Sequence, residues 1–351
     1  MTDHKYVAFD VHKSTITAVV LNLEGKMITQ AVIETDANSV RDFLRRLSGQ
    51  VHLTFEEGTH AQWLYELTRP LVAHLVVCNA RLINSKGNKS DRLDAFKLAQ
   101  LLRAGLLKSV YHASATTETL KQLVHNYEAL TDDTTRCMNR LKALFRSRAI
   151  ACAGRAVYSS RGRDEWLDKL TEQGLRLRAE FLYKQLDHLR PLRREAKKAM
   201  LEEAGGQEAF KRLCQVPGLG PIRVAQLQAQ VGSPHRFNSK RQFWTYCGLS
   251  VVTHSSSDWE MREGKLERRA KSRQTRGLTR DYSRRLKLVF KSAALEALKD
   301  EHIKKIYRRL VEKGTRPELA RLTIARKIAA VALKVWKSGE EYDEKKLTKA
   351  A

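Results

Sequence analysis

No run of about 18 consecutive apolar residues occurs in this chain, which argues against a membrane-spanning helix. Cysteine is scarce: Cys78, Cys137, Cys152, Cys214 and Cys247 are odd in number, scattered and never in C-x-x-C spacing. That pattern argues against a disulfide framework and a zinc site, and leaves small, reduced core residues. Internal repeats and low-complexity tracts are missing too. The opening MTDHKYVAFD has no charged-then-apolar leader, from which a cytoplasmic location is expected. Acids are in short supply relative to bases, 39 Asp and Glu against 65 Lys and Arg, a formal net charge of +26. Such an imbalance points to a polyanionic partner, nucleic acid first and a membrane surface second.

What is present is enough for two or three domains with sizeable cores, since 42% of the 351 residues are hydrophobic. The first hundred or so residues alternate strand and helix patterns. KYVAFDVH, STITAVVLN and KMITQAVIET read as strands, ANSVRDFLRRL as a helix, VHLTFEE as a strand, AQWLYELTRPL as a helix and AHLVVCNA as a strand. Three early strands with short connections followed by alternation imply a mixed sheet covered by helices. From Glu118 the texture becomes helical. Leu120, Val124, Tyr127, Leu130, Leu141, Leu144 and Phe145 mark one long helix, and Trp166, Leu170, Leu182, Leu186 and Leu189 begin another, with a kink expected at Pro191. The two form either a hairpin packed on its own domain or a dimerising coiled coil.

A third region opens near Phe210, where LCQVPGLGPIRVAQLQAQV sets Gly218 and Gly220 in a tight turn between two short helical patterns. This is similar to a helix-hairpin-helix element, whose turn amides face a phosphate. A serine run, THSSSDW, and a basic stretch from Arg262 to Lys291 follow, then the helical pattern LTIARKIAAVALKVWKSG and a charged tail. The basic stretch has the density expected for phosphate contacts.

KSDRLDAFKLAQLL places Asp91 and Asp94 one turn apart at the start of an amphipathic helix. Taken alone, Ser90 and Asp91 read as caps and Asp94 as a favourable dipole partner. Asp10 ends the apolar run of the first strand, however, and Glu56 that of the fourth, so all four carboxylates are expected to share one rim. Four clustered acids need cations, and hard oxygen donors select Mg²⁺ or Mn²⁺. Two such ions flanking a phosphodiester activate the attacking oxygen and stabilise the leaving one. Strand alternation favours Glu56 over its neighbour Glu57. The order D…E…D-x-x-D on strand, strand and helix resembles ribonuclease H-like nucleases of the Holliday-junction resolvase kind.

AFDVHKS, FEEGTH, KSDRLDA, VPGLGPIRVA, RFNSKRQFWTYCGL, THSSSDW and QTRGLTRDYSRRLKLVFKSAA, in this order over nearly the whole chain, resemble the DEDD transposases of insertion sequences, relatives of the Piv DNA invertase. The resemblance implies a resolvase-like DEDD domain (1–114), coiled-coil dimerisation helices (115–206), a mostly α-helical transposase domain with the helix-hairpin-helix element (207–340) and a charged tail (341–351). It implies a metal-binding catalytic set of Asp10, Glu56, Asp91 and Asp94. The serine seven residues after Leu249 of the family's Gly-Leu pair, Ser256, becomes the nucleophile; many relatives read Ser-Ser-Gly where this chain has three serines, which keeps Ser255 as the alternative. A serine hydroxyl needs a base or a metal to activate it. The resemblance further implies dimers assembling into a tetramer, the serine of one subunit completing another's acidic site. It also implies a structured noncoding RNA that pairs with donor and target DNA, with Lys271, Arg273, Arg276 and Arg280 gripping phosphates. The function so implied is DNA cutting and rejoining. The rivals are a Mg²⁺-dependent junction-resolving endonuclease with no serine adduct, and a non-catalytic nucleic-acid-binding protein.

Overall fold

In the computed structural model the described residues are 3–79, 90–112, 115–255, 259–268, 274–278 and 281–344. The chain divides into two compact units, Met1–His112 and Ala113–Ala351.

The first unit is built on a five-stranded mixed sheet. Its strands are β1 (His4–Val11), β2 (Thr15–Leu21), β3 (Met27–Glu34), β4 (Gln50–Glu56) and β5 (His74–Cys78), in the order β3-β2-β1-β4-β5. The first three form an antiparallel meander, whereas β1/β4 and β4/β5 are parallel. A parallel pair needs a crossover, and α1 (Ala37–Arg45) and α2 (Ala61–Thr68) supply them. The arrangement is the expected mixed sheet and is consistent with a DEDD nuclease-like fold.

Strand parity decides which face each residue meets. Val7, Phe9, Leu53 and Phe55 pack with Val40, Leu44, Ala61 and Leu64 of α1 and α2. Ala8, Val19, Leu21 and Cys78 pack instead with Ala95, Leu98 and Ala99 of α3 (Asp91–Arg103). Helix α3 contains no β-branched residue or glycine, and the Ser90 hydroxyl caps it by accepting from the Leu93 amide at 3.3 Å. Ser90 therefore caps α3 through its side chain, and the Asp91 carboxylate is turned to other partners.

In the second unit, α4 (Ala115–Arg146) and α6 (Gln173–Gly205) lie antiparallel, joined through the short α5 (Arg163–Leu167). Leu141, Leu144 and Phe145 near the end of α4 meet Ala179, Leu182, Tyr183 and Leu186 near the start of α6. Leu120 and Val124 at the other end meet Met200 and Ala204. The two stripes thus bury each other within one chain, as a hairpin, and α6 remains helical through Pro191. Ala225 and Ala229 of α8 (Pro221–Val231) close the same cluster, so hairpin and following helices share a core.

Beyond α7 (Phe210–Cys214) and α8 come α9 (Lys240–Tyr246), α10 (Arg284–Ala297), α11 (Glu301–Glu312) and α12 (Pro317–Ser338). Helix α12 is buried nearly all round and forms the centre of this core, with Ile324, Ile328 and Val335 fully covered. Two small β-ribbons interrupt the helices, β6 (Val251–Ser255) with β9 (Gln274–Leu278) and β7 (Trp259–Arg262) with β8 (Lys265–Arg268). Sequence periodicity did not foretell them: each is only four or five residues long, too short for a period-2 signal. Glu263 and Gly264, both at positive φ, form the two-residue turn of the second ribbon.

Candidate active site

Asp10 occupies the penultimate position of β1 and Glu56 the last of β4. The parallel register pairs Phe9 with Phe55, so these two acids follow side by side. Both share the parity of Ala8 and Thr54, which directs them to the face covered by α3. The first turn of α3 carries Asp91 and Asp94. Three separate segments thereby bring four carboxylates to one rim of the sheet.

Their electrostatics show the gathering. Burial pushes the Asp10 carboxyl above its ordinary value, and the charges of Asp91 and Asp94 push it further, against a lowering pull from His12. Glu56 is raised by burial, then by Asp10 and Asp94. Each acid of the set is thus coupled to at least one other. Burial and neighbouring like charge both disfavour the ionised forms of Asp10 and Glu56.

His12, just past the end of β1 and two residues beyond Asp10, lies beside two of these acids. Its Nε2 lies 3.4 Å from Asp10 Oδ2 and 3.3 Å from Asp91 Oδ2. Ligating atoms of Asp10, His12 and Asp91 all fall within 4.8 Å of one another, a spacing that suits one shared ion. His12 was not singled out from sequence, although the i, i+2 relation to Asp10 in AFDVH was the available signal. Lys97 stands 3.9 Å from Asp94, one turn on along α3. The oxygen-rich donor set and the unrelieved repulsion within it fit a hard divalent cation.

Glu57 points elsewhere. Its Oε2 is 2.9 Å from His112 Nε2, while His112 Nδ1 contacts Gln62 at 2.8 Å and its ring stacks on Tyr65. This cluster tethers the segment after β5 to α2, and separates Glu57 from the acids. Cys78, paired with Glu56 across β4/β5, is buried and its thiol is pushed up to about 11, chiefly by burial. It is a packing residue rather than a nucleophile.

In the second unit, Gly218 and Gly220 do lie in a turn, between α7 and α8. Gly218 has φ +78°, and a Cβ there would stand 2.2 Å from the Ala293 carbonyl oxygen of α10. Close packing of two segments therefore requires glycine at this position. The Gly218 carbonyl accepts from Arg223 at 3.0 Å, and Gly220 precedes Pro221 at the start of α8. Ser255 is the last residue of β6, with Gln274 as its register partner, and Arg276 pairs with Thr253. Ser256, Lys271, Arg273 and Arg280 lie outside the described residues.

Comparison with known proteins places these features in context. Residues 7–148 match the family model DEDD_Tnp_IS110, described as a transposase, and residues 210–308 match that described as Transposase IS116/IS110/IS902 family. The chain is 24% identical over 308 residues to "Putative transposase y4pF/y4sB" of Sinorhizobium fredii, covering 79% of this chain and 76% of that one. It is 24% identical over 275 residues to "Putative transposase y4qE" of the same organism, covering 74% and 66%. Asp10, His12, Glu56, Asp91 and Asp94 all fall inside the first match. The basic ribbon strand β9 and the α7–α8 turn fall inside the second.

Proposed function

Given that the chain belongs to the IS110 family of transposases, DNA-cutting enzymes, we propose that it moves an insertion element by cutting and rejoining DNA at the acidic rim of its first unit, with a serine as nucleophile. The observation that carries the reading is geometric: Asp10 and Glu56, 46 positions apart in the chain, lie at the ends of adjacent parallel strands, and Asp10 shares His12 with Asp91 of α3, with ligating atoms of the three within 4.8 Å of one another. Asp10, Glu56, Asp91 and Asp94 are the residues that would hold Mg²⁺ or Mn²⁺. When bound, such an ion supplies Lewis-acid polarisation of a phosphoryl oxygen.

The chain's own part is to fix the donors. Parity sets Asp10 and Glu56 on one face, the Ser90 cap fixes the start of α3, and His12 orients the Asp10 and Asp91 carboxylates. Ser256, with Ser255 as alternative, attacks phosphorus: an O–P bond to serine forms, the bond to a deoxyribose oxygen breaks, and a free sugar hydroxyl departs. The phosphoserine conserves the energy of the broken linkage, so the reverse attack rejoins DNA without ATP. Lys271, Arg273, Arg276 and Arg280 contact backbone phosphates, and the Gly218–Gly220 turn presents α8 to another. A structured noncoding guide RNA reads the donor and target sequences by pairing.

Dimerisation, with assembly to a tetramer, accounts for a further feature. Leu177, Phe181 and Leu192 of α6 are 46%, 65% and 49% exposed and fall on one helical face at spacings of 4 and 11. That apolar stripe remains uncovered after α4 has packed on the opposite side, and a second copy would bury it.

Recombination of labelled donor and target DNA, with the guide RNA, by Asp10→Ala, Asp94→Ala and Ser256→Ala variants tests the reading. Loss of product in all three, and of a denaturant-resistant protein–DNA adduct in Ser256→Ala, is expected. Cleavage without any adduct in the unmodified protein would instead establish a junction-resolving hydrolase.

A further inference from the structure

Two concave regions of the second unit carry clustered arginines, and they differ in how those arginines are used. A groove of about 860 Å³ is bordered by α4, α8 and α10. Its cations are already engaged: Arg285 lies 3.1 Å from Glu128 and 3.0 Å from His125, and Arg223 donates to Ser292 and to the Gly218 carbonyl. Arg136 pairs with Asp133. The carboxylates of Glu128 and Asp132 also line this groove, so its arginines face countercharge within it.

A smaller cavity, about 350 Å³, lies further along α4, between the hairpin and the α4–α5 connection. Arg155, Arg190 and Arg193 line it together with Thr134, Ser159 and Ser160, and no Asp or Glu does. Arg190 donates to the Tyr158 carbonyl at 2.6 Å, which fixes its guanidinium at the wall. Arg155 and Arg193 have no side-chain hydrogen-bond or ion-pair partner among the described residues, and Arg193 is half-buried. The nearby acids are spent elsewhere: Asp187 takes a bidentate bond from Arg163 at 2.7 and 2.8 Å, and Asp133 pairs with Arg136. Three guanidinium groups line one concavity with no carboxylate among its lining residues, and their like charges repel one another until an anion joins them. Their planar donors match the tetrahedral oxygens of a phosphate.

We propose that this cavity is a phosphate site that holds the backbone of a nucleic-acid strand lying across the helical hairpin, separate from the acidic rim and from the basic stretch near the serine run. The choice of nucleic acid as the polyanion rests on the transposase reading. Its contribution is positional and sequence-independent, since no base edge is needed to satisfy the guanidinium groups.

The test is fluorescence-anisotropy binding of matched duplex DNA and single-stranded RNA to the full chain across a salt series, in EDTA. Without divalent ions no strand is cut, so failure here leaves the acidic-site reading untouched, and the converse holds. Arg155→Ala/Arg193→Ala is expected to flatten the slope of log affinity against log salt by up to about 1.8 for duplex and about 1.4 for single strands, two phosphate contacts' worth. The Lys/Lys counterpart retains the slope, and Arg178→Ala, more than three turns away along α6, changes it by less than half as much. A drop on only one of the two probes supports the site and names the strand it holds. An unchanged slope on both probes, or an equal drop from Arg178→Ala, overturns the proposal. Arg193→Gln alone, expected to lose half as much, carries the test if the double variant melts early.

Discussion

Asp10→Asn should make the metal-free protein more stable and the metal-loaded protein less stable than the parent, so that the two melting curves change order. Asp10 and Asp91 place ligating oxygens within 4.8 Å of each other. At that separation two like charges repel by about 3.5 kcal/mol in a medium of effective dielectric 20, and by about 1 kcal/mol in water. The Asp91 side chain is 61% exposed, so the water-like end applies, with further contributions from Asp94 and Glu56. Part of the relief is offset by the lost contact to His12, which leaves a net gain of about 1 kcal/mol, or about 3–5 °C in Tm. Against this, a divalent ion at a hundred times its Kd stabilises the parent by about 2.7 kcal/mol, most of which the variant forgoes. Differential scanning calorimetry in EDTA and in saturating Mg²⁺ reads both effects, and repeating the pair in a His12→Gln background separates the imidazole's share. An Asp10→Asn protein that melts lower in EDTA and keeps the full Mg²⁺ shift would refute the idea that these acids repel one another around an ion.

Other outcomes follow from particular contacts. Gly218→Ala combines a left-handed backbone with a Cβ pressed on the Ala293 carbonyl, and should cost about 2–5 kcal/mol of stability in chemical denaturation. Asp187, held below its ordinary value by the Arg163 hydrogen bonds, adds stability that is complete above the unfolded carboxylate pKa and is lost as pH falls through its lowered folded value. The denaturation gap between parent and Asp187→Asn, no more than about 1 kcal/mol for so exposed a pair, should therefore be constant near neutrality and close in acid. Phe181→Glu should shift the chain toward monomer in light scattering while leaving the helical content by circular dichroism unchanged, because Phe181 is 65% exposed and packs little within the hairpin.

The first unit was legible in sequence to an unusual degree, because a two-faced sheet writes its parity into each strand: Val7 and Phe9 alternate with Ala8 and Asp10, and Leu53 and Phe55 with Thr54 and Glu56. That alternation is also what set Glu56, not Glu57, among the other acids. Helix α3 was legible because its apolar spacing and Ser90 cap agree. The hairpin of α4 and α6 was legible as two stripes, but a stripe does not say whether its cover comes from the same chain or another copy. Tertiary contacts answered for the buried faces, and left Leu177, Phe181 and Leu192 exposed.

What sequence did not give has physical reasons as well. The β6/β9 and β7/β8 ribbons are stabilised by cross-strand pairing between segments too short to announce themselves. His12 is not legible in sequence, because a lone histidine carries no pattern until its neighbours in space are known. Gly218 carried a phosphate-facing interpretation in sequence, whereas its backbone angle and the approach of α10 give it a packing role that any ligand role must coexist with. The arginine cavity drew residues from α4, the α4–α5 connection and α6, separations that no linear motif spans.

Crystals grown with Mn²⁺ and measured at the manganese absorption edge provide the most direct test of the acidic site. Anomalous density at about 2 Å from carboxylate oxygens of Asp10, Glu56 and the α3 aspartates, abolished in Asp10→Asn, is the expected result. Manganese bound only at other acids, or density at the rim that survives Asp10→Asn, would contradict it.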